Sequence, residues 1–363
     1  MTKKKSLTYV AICSKKTSPG IYKKVLGFVK GAQKNNISSN SIIVEPKGIS
    51  GYLTYTREIA FSSSDYVVIR YLPKLGFIIF LLGILLKLSN RNLIIDVPTP
   101  MKNHIKEIMI HDHGSLSQFL YVSLIYLQSF IPFLSAGRII QYANEARFFS
   151  FFLSKKTILI GNGVDVESIP LRGSAPKWPG TNKTLNLVAV GTVATWHGWD
   201  KVLTVIKELK DENFQDFNIF FKIIGDGPEV IKLKKMSSQL NITENVEFLG
   251  FLSGEKLYSH YSDAHIGVGS LGWSRIGVEV ASPIKSREYL AAGLPVLYST
   301  KDVDFHIDAN IAIYLQQSED VYEFKNMIKN LGQIDFPSSK ECRKYALNNL
   351  DFSIKVSKIL KGV

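Results

Sequence analysis

Residues 282–296 read SPIKSREYLAAGLPV. Ser282 suits a helix N-cap, Pro283 the first helical position and Gly293 the stop. The spacing predicts a helix over 282–292 that feeds a short buried strand, PVLYS, at 295–299. The same alternation runs back through the second half of the chain. Strand patterns LNLVAVG (185–191), FNIFFKIIGDG (217–227), VEFLGF (246–251) and AHIGVGS (264–270) are separated by helical patterns at 198–210, 228–239 and 254–262. Such alternation implies a parallel sheet covered by helices on both faces.

The first half repeats the theme, with strand patterns at 7–13, 41–45, 66–71, 92–97, 138–143 and 157–163. Between the halves, PLRGSAPKWPGTNKT (170–184) is rich in Pro, Gly, Ser and Thr and reads as a linker. At 363 residues the chain is too long for one ordinary core. The expected architecture is α/β. One doubly wound, Rossmann-like domain covers 1–178, a second covers 179–345, and a C-terminal helix within 346–363 returns to the first. Open sheets of this kind bind ligands beyond the carboxyl ends of their strands, so the chemistry is expected in a central cleft faced by both domains.

Hydrophobic residues at 45% and charged residues at 21% describe a folded globular protein. Cys13 and Cys342 lie far apart, show no metal-type spacing and point to a reducing cytoplasm. Charge is divided unevenly. Residues 1–178 hold 23 Lys and Arg against 9 Asp and Glu, whereas 179–363 hold 21 against 22. The net +13 therefore sits in the first half, which implies an anionic partner: nucleic acid, acidic lipid or a phosphorylated substrate. The aromatic–basic interleaving of a nucleic-acid module is missing, so nucleic acid is set aside. The basic start MTKKKSLTYVAICSKK has an apolar run that meets Lys-Lys and reads as a first strand, not a leader. GFIIFLLGILL (76–86), bracketed by Lys74 and Lys87, is too short to cross a bilayer. A buried helix is the expected reading, and an interfacial helix on acidic lipid the alternative. FLYVSLIYLQSFIPFL (119–134) poses the same choice, with Gln128 and Pro132 arguing against a span.

The charge of the 282–292 helix needs an explanation. Lys285 and Arg287 stand in its first turns, where unpaired N–H groups already carry partial positive charge. Ile284, Glu288 and Ala291 share one face, expected to be the buried one, and Lys285 is within reach of an ion pair with Glu288. That pair alone leaves cations at the wrong end of a helix. A pyrophosphate held at the Ser282–Pro283–Ile284 end by helix N–H groups and Lys285 accounts for them. Glu288, further in, then accepts hydrogen bonds from two ribose hydroxyls.

SPIKSREYLAAGLPV, with LNLVAVGTVATWHGWDKVL (185–203), IIGDGPE (223–229) and VEFLGF (246–251), resembles the nucleotide-sugar domain of retaining glycosyltransferases. More closely, it resembles glycosyltransferase family 4, the glycosyl transferases group 1, of GT-B fold. DAHIGVGSLGWSRIGVEVASPIKSREYLAAG (263–293) is similar to bacterial members that build capsule, exopolysaccharide or O-antigen of lipopolysaccharide. Over 1–178 the resemblance rests on IIDVPTP (94–100) and NGVD (162–165). The resemblance implies that Glu288 binds the ribose, that Gly225, Asp226 and Gly227 lie near the nucleotide, and that Phe251 borders the base. It places Gly191 and Thr192 at the diphosphate. The family's first glutamate falls on Val280, beside Glu279. Thr192 and His197 stand near the places of the family's Arg and Lys, which leaves Lys285 to supply positive charge, with Arg275 or Lys201 beside it. Arg275 and Glu279 are the candidates for the donor sugar.

The implied reaction moves a sugar from a nucleotide-diphosphate sugar, UDP- or GDP-linked, to a glycan acceptor with retention of configuration. It calls for no metal or other cofactor. The basic first half suits an anionic membrane surface and an undecaprenyl-diphosphate-linked acceptor. The expected place is the cytoplasm, peripheral on the inner face of the plasma membrane. The alternative on the same frame is a nucleotide-sugar epimerase or hydrolase.

Catalytic candidates are Glu288, Lys285 and His197. His197 in WHGWD is either a diphosphate or sugar ligand or a cap of the 198–210 helix. His104, His111 and His113 read as a solvated loop with imperfect metal spacing. Asp302 and Asp304 in DVD read as a solvated turn rather than a metal-holding pair. Asp96 either orients an acceptor hydroxyl or caps the following loop. CSKKTSPGIYKK (13–24) is a basic loop in which Lys15, Lys16, Gly20, Lys23 and Lys24 are expected to meet a phosphate-bearing acceptor.

Overall fold

The computed structural model describes residues 4–97, 120, 122–125, 128–142, 156–173, 184–212, 218–305, 311–331 and 336–361. His104, His111, His113 and most of 170–184 lie outside them. Two compact units emerge, one of residues 1–165 with 350–363, the other of residues 166–349. The change of unit thus falls before the linker-like stretch, against the 178/179 expected. The reason is local. Buried Arg172 donates from Nε to Ser339 Oγ (3.0 Å) and from its guanidinium to the Ala264 carbonyl, which holds its segment to the second unit. Val164 instead pairs with Asp351, with Val164 N–H donating to the Leu350 carbonyl (2.9 Å).

The first unit contains β1 (Ser6–Ile12), α1 (Pro19–Lys34), β2 (Ser38–Val44), α2 (Gly48–Ala60), β3 (Tyr66–Arg70), α3 (Gly76–Leu88), β4 (Asn92–Val97), α4 (Ile131–Ser135), β5 (Arg138–Gln141), β6 (Thr157–Leu159) and a terminal helix, Phe352–Leu360. Its six strands are parallel in the order β2-β1-β3-β4-β5-β6. Side chains alternate across a strand, and in β1 both sides are apolar. Leu7, Tyr9 and Ala11 pack with Val25 and Phe28 of α1 and with Phe352 and Val356 of the terminal helix. Val10 joins Tyr55, Ile59 and Ile79 of α2 and α3 on the other side. A Cβ on Gly27 would stand 2.5 Å from the Phe352 ring, so bare backbone in α1 lets the terminal helix dock.

GFIIFLLGILL is not the buried helix expected. Within α3, Gly76, Ile79, Gly83 and Leu86 face inward, and Phe77, Ile78, Leu81, Ile84, Leu85 and Leu88 are exposed.

The second unit contains β7 (Thr184–Val190), α5 (Asp200–Asp211), β8 (Asn218–Ile224), α6 (Val230–Gln239), β9 (Val246–Gly250), α7 (Glu255–Ser262), β10 (Ile266–Val268), α8 (Ile284–Ala292), β11 (Val296–Tyr298), β12 (Ala312–Tyr314), α9 (Tyr322–Lys329) and α10 (Ser339–Tyr345). These strands are parallel too, in the order β12-β11-β10-β7-β8-β9. The chain leaves β7 in one direction and β10 in the other. Their carboxyl ends therefore flank a topological switch point, where doubly wound sheets take their ligands.

Candidate functional site

The loops at this switch point are built from bare backbone. β7 runs into Gly191 and β8 into Gly225, and both glycines have positive φ, 144° and 142°. Gly191 N–H donates to the Ile224 carbonyl (3.0 Å), Gly225 N–H to that of Gly250 (2.7 Å), and Val193 N–H to that of Asp226 (2.9 Å). A Cβ on Gly225 would stand 1.9 Å from the Gly191 oxygen, so glycine is required there. α8 is set against these loops by Tyr289. Its hydroxyl accepts from Val190 N–H (2.8 Å), and its ring lies where a Cβ on Gly267 would be, 2.6 Å away.

His197, buried in a 3₁₀ turn after β7, places Nδ1 2.7 Å from Ser270 Oγ, two residues after β10. Its ring stacks on Trp199 with centroids 4.8 Å apart, and Trp199 Nε1 donates to the Gly269 carbonyl (3.1 Å). α5 begins at Asp200 with Trp199 as its cap residue, so His197 does not cap it. Over this ring comes half-buried Lys285, its Nζ 3.1 Å from Nδ1 and 3.3 Å from Nε2 of His197 and 4.9 Å from the centre of the Trp199 ring. A Cβ on Gly191 would stand 3.1 Å from the same Nζ.

Burial pushes the Lys285 ammonium down to about 7. Burial, and then the nearby Lys285, hold His197 well below its usual value against a hydrogen bond to the Thr192 backbone, so the imidazole is neutral at pH 7. Lys285 turns to His197 and not to Glu288, and no carboxylate among the described residues pairs with it. Glu288, one turn further along α8, is 9% exposed.

Several expectations are corrected. α8 starts at Ile284 with Pro283 as its cap residue, one position later than the Ser282 cap expected. It is buried all round from Ser286 to Ala292, not on one face, because it lies inside the unit. Arg287 is fully buried, 2.5 and 2.6 Å from the Asp302 oxygens and 2.7 Å from Asp304, with the Phe305 ring 4.9 Å away. DVD is therefore no solvated turn: the Asp302 side chain is 1% exposed and locked in an ion cluster with Arg287. Arg287 belongs to the fold, whereas Lys285 has no carboxylate partner among the described residues.

Neither Arg275 nor Lys201 adds charge beside it. Arg275 spends Nε and both terminal nitrogens on Glu319, Asp200 and the Thr195 carbonyl. Buried Lys201 donates to the Leu271 carbonyl (2.9 Å) and pairs with Glu319 (3.1 Å). Glu279 is exposed, and Val280 forms a bridge with Lys301. Ser282 is buried, while Thr192, Asp226 and Phe251 are exposed around the glycine loops. Asp226 Oδ1 accepts from Gly227 N–H (2.8 Å), which shapes its turn.

In the first unit, Lys15 and Lys16 are exposed between β1 and α1, and Gly20 has open space around it. Asp96 is different. It is buried and accepts from Lys24 (2.8 and 3.1 Å), the Tyr142 hydroxyl (2.6 Å) and the Tyr9 hydroxyl. Its carboxylate thus ties β4 to α1, β1 and the residue after β5, and the loop it was expected to cap lies outside the described residues. Lys24, whose ammonium also lies 4.1 Å from the centre of the Tyr142 ring, leaves the basic loop to which its sequence neighbours assigned it.

Ser270 and Trp199, which hold His197, carry no signal of their own in the sequence. Ser270 lies two residues after β10, and only the strand order reveals that β10 lies beside β7.

Residues 176–303 match the model of glycosyl transferases group 1. No curated protein matches the chain in sequence. Among solved structures, sucrose-phosphate synthase from Thermosynechococcus elongatus is similar with a TM-score of 0.68 and 11% identity over 99% of this chain and 98% of that one. WaaG, a glycosyltransferase involved in lipopolysaccharide biosynthesis, gives 0.61 and 11% over 98% and 100%. The pneumococcal O-GlcNAc transferase GtfA in complex with UDP and GlcNAc gives 0.54 and 12% over 85% and 60%. The chain has the two-domain α/β GT-B fold, the stretch similar to glycosyl transferases group 1 lies in its second unit, and it is a glycosyltransferase.

Proposed function

We propose that the chain moves a sugar from a nucleoside diphosphate sugar to a lipid-linked glycan, with retention of configuration. The setting is bacterial surface-polysaccharide synthesis at the inner face of an anionic membrane. The observation that carries the donor reading is Lys285. A half-buried ammonium beside a neutral imidazole, at a glycine-lined switch point and without a carboxylate partner among the described residues, calls for an anionic ligand. The diphosphate lies at the amino end of α8, and Glu288 accepts hydrogen bonds from the ribose.

As the bond between the anomeric carbon and the phosphate oxygen breaks, negative charge grows on the leaving diphosphate. Lys285 and helix N–H groups, already in place, stabilise that charge more than the ground state. The departing phosphate oxygen takes the proton of the acceptor hydroxyl on the same face of the sugar. No protein nucleophile and no metal ion is part of this scheme. The UDP complex of GtfA supports a nucleoside diphosphate donor, and the involvement of WaaG in lipopolysaccharide biosynthesis supports a lipid-linked acceptor.

Incubation with a panel of nucleotide sugars and membrane lipid extract, followed by mass spectrometry, tests the reading. One sugar transferred to a lipid-linked acceptor is expected. A donor converted or hydrolysed with no acceptor modified would replace transfer by epimerase or hydrolase chemistry.

A further inference from the structure

We propose that the outer face of α3 in the first unit is a docking surface for an anionic bilayer. The assignment rests on the membrane association proposed for the enzyme and shares no residue with the donor site. The sidedness of α3 is set by two glycines seven residues apart. A Cβ on Gly76 would stand 2.3 Å from the Gln128 carbonyl oxygen, and one on Gly83 would stand 2.2 Å from Ser135 Oγ. Those contacts fix which face is inside and turn Phe77 (54% exposed), Leu81 (49%), Leu85 (46%) and Leu88 (79%) outward, with Ile78 and Ile84 beside them. α4, packed on α3 through Ser135, adds exposed Leu134. An exposed stripe of this kind on one helix exceeds the scattered apolar residues of an ordinary surface.

Charge selects the occupant. Lys74 lies just before α3, Lys87 in its last turn and Arg91 just after it. Lys156 donates to the carbonyl of Leu134 (3.2 Å) and lies near enough to Lys87 that, after burial, the second ammonium holds it below its usual value. No acid occurs in the sequence between Asp65 and Asp96, and Asp96 is buried. An apolar centre flanked by cations, on a helix that carries no acid of its own, fits phosphate headgroups over acyl chains, with the lysine stems lying along the apolar boundary. Thirteen residues of helix lie in such an interface and do not cross it.

Flotation of the full chain with vesicles of phosphatidylcholine alone, or mixed with phosphatidylglycerol, tests the surface. Binding to the mixed vesicles is expected, with loss at high salt. The double variant Leu81→Ser/Leu85→Ser is expected to bind them roughly tenfold more weakly or worse. Lys74→Gln/Lys87→Gln should lose the preference for phosphatidylglycerol. Both variants should keep the wild-type melting temperature and affinity for nucleoside diphosphates, so failure here leaves the donor site standing. Absence of binding to the mixed vesicles, or unchanged binding by both variants, overturns the proposal. So does a wild-type dimer that Leu81→Ser/Leu85→Ser converts to a monomer with vesicle binding intact, because a second copy would then cover the face.

Discussion

Two cations of one helix meet opposite fates. Lys285 and Arg287 are two positions apart, and charge at a helix start marks both as anomalous. The sequence alone does not separate them, because Arg287 is answered by Asp302 and Asp304, which reach it only after β11 has turned back beside α8. Among the described residues Lys285 has no such answer. Glu288 stands out in the sequence for a different reason, a charged group on the face expected to be buried. The His197–Ser270 contact was not legible, since 73 residues separate the pair. At this scale Lys285→Gln should lower kcat by about a hundredfold or more, the usual loss when one preorganised charge at a leaving group is removed, without moving the melting temperature. Glu288→Ala should abolish transfer with the fold intact. Steady-state kinetics and thermal melts check both, and full activity in Glu288→Ala would withdraw its ribose role.

At the scale of elements, strands and helices were readable because each half alternates apolar runs with 3.6-period patterns. Their ends were not: FNIFFKIIGDG contains a strand only over Asn218–Ile224, since its last glycines turn into the ligand-side loop. β12, three residues long, is too short to leave a pattern. α8 lacks a polar face altogether, and the buried Arg287 cluster fixes its amino end. Removing one side of that cluster leaves two buried carboxylates without their cation. Arg287→Met should therefore destabilise the protein by about 3–5 kcal/mol, seen as a lower denaturation midpoint. Adding Asp302→Asn and Asp304→Asn should recover much of the loss. A Gly225→Ala substitution should separate the β7 and β8 loops and weaken nucleotide binding more than stability, checked by titration and melting together.

For the whole molecule, the alternation of strand and helix identified two doubly wound units, but not the order of the strands in either. Order comes from tertiary pairing, and it is what makes the β7/β10 end a topological switch point, where doubly wound sheets take their ligands. The concentration of positive charge in residues 1–178 was also plain, while the partition between α3's inner glycines and outer leucines needed the packing against Gln128 and Ser135. The proposed transfer requires a diphosphate at Lys285, and proton linkage tests that most directly. The free ammonium titrates at about 7, and a bound diphosphate raises it, so the bound form holds more protons than the free form above that pH. The dissociation constant of a nucleoside diphosphate, measured by calorimetric titration from below to above pH 7, should stay level and then weaken by up to roughly tenfold per pH unit. In Lys285→Gln binding should be weaker and the slope absent. An equal slope in the variant, or wild-type affinity that ignores pH across this range, would contradict it.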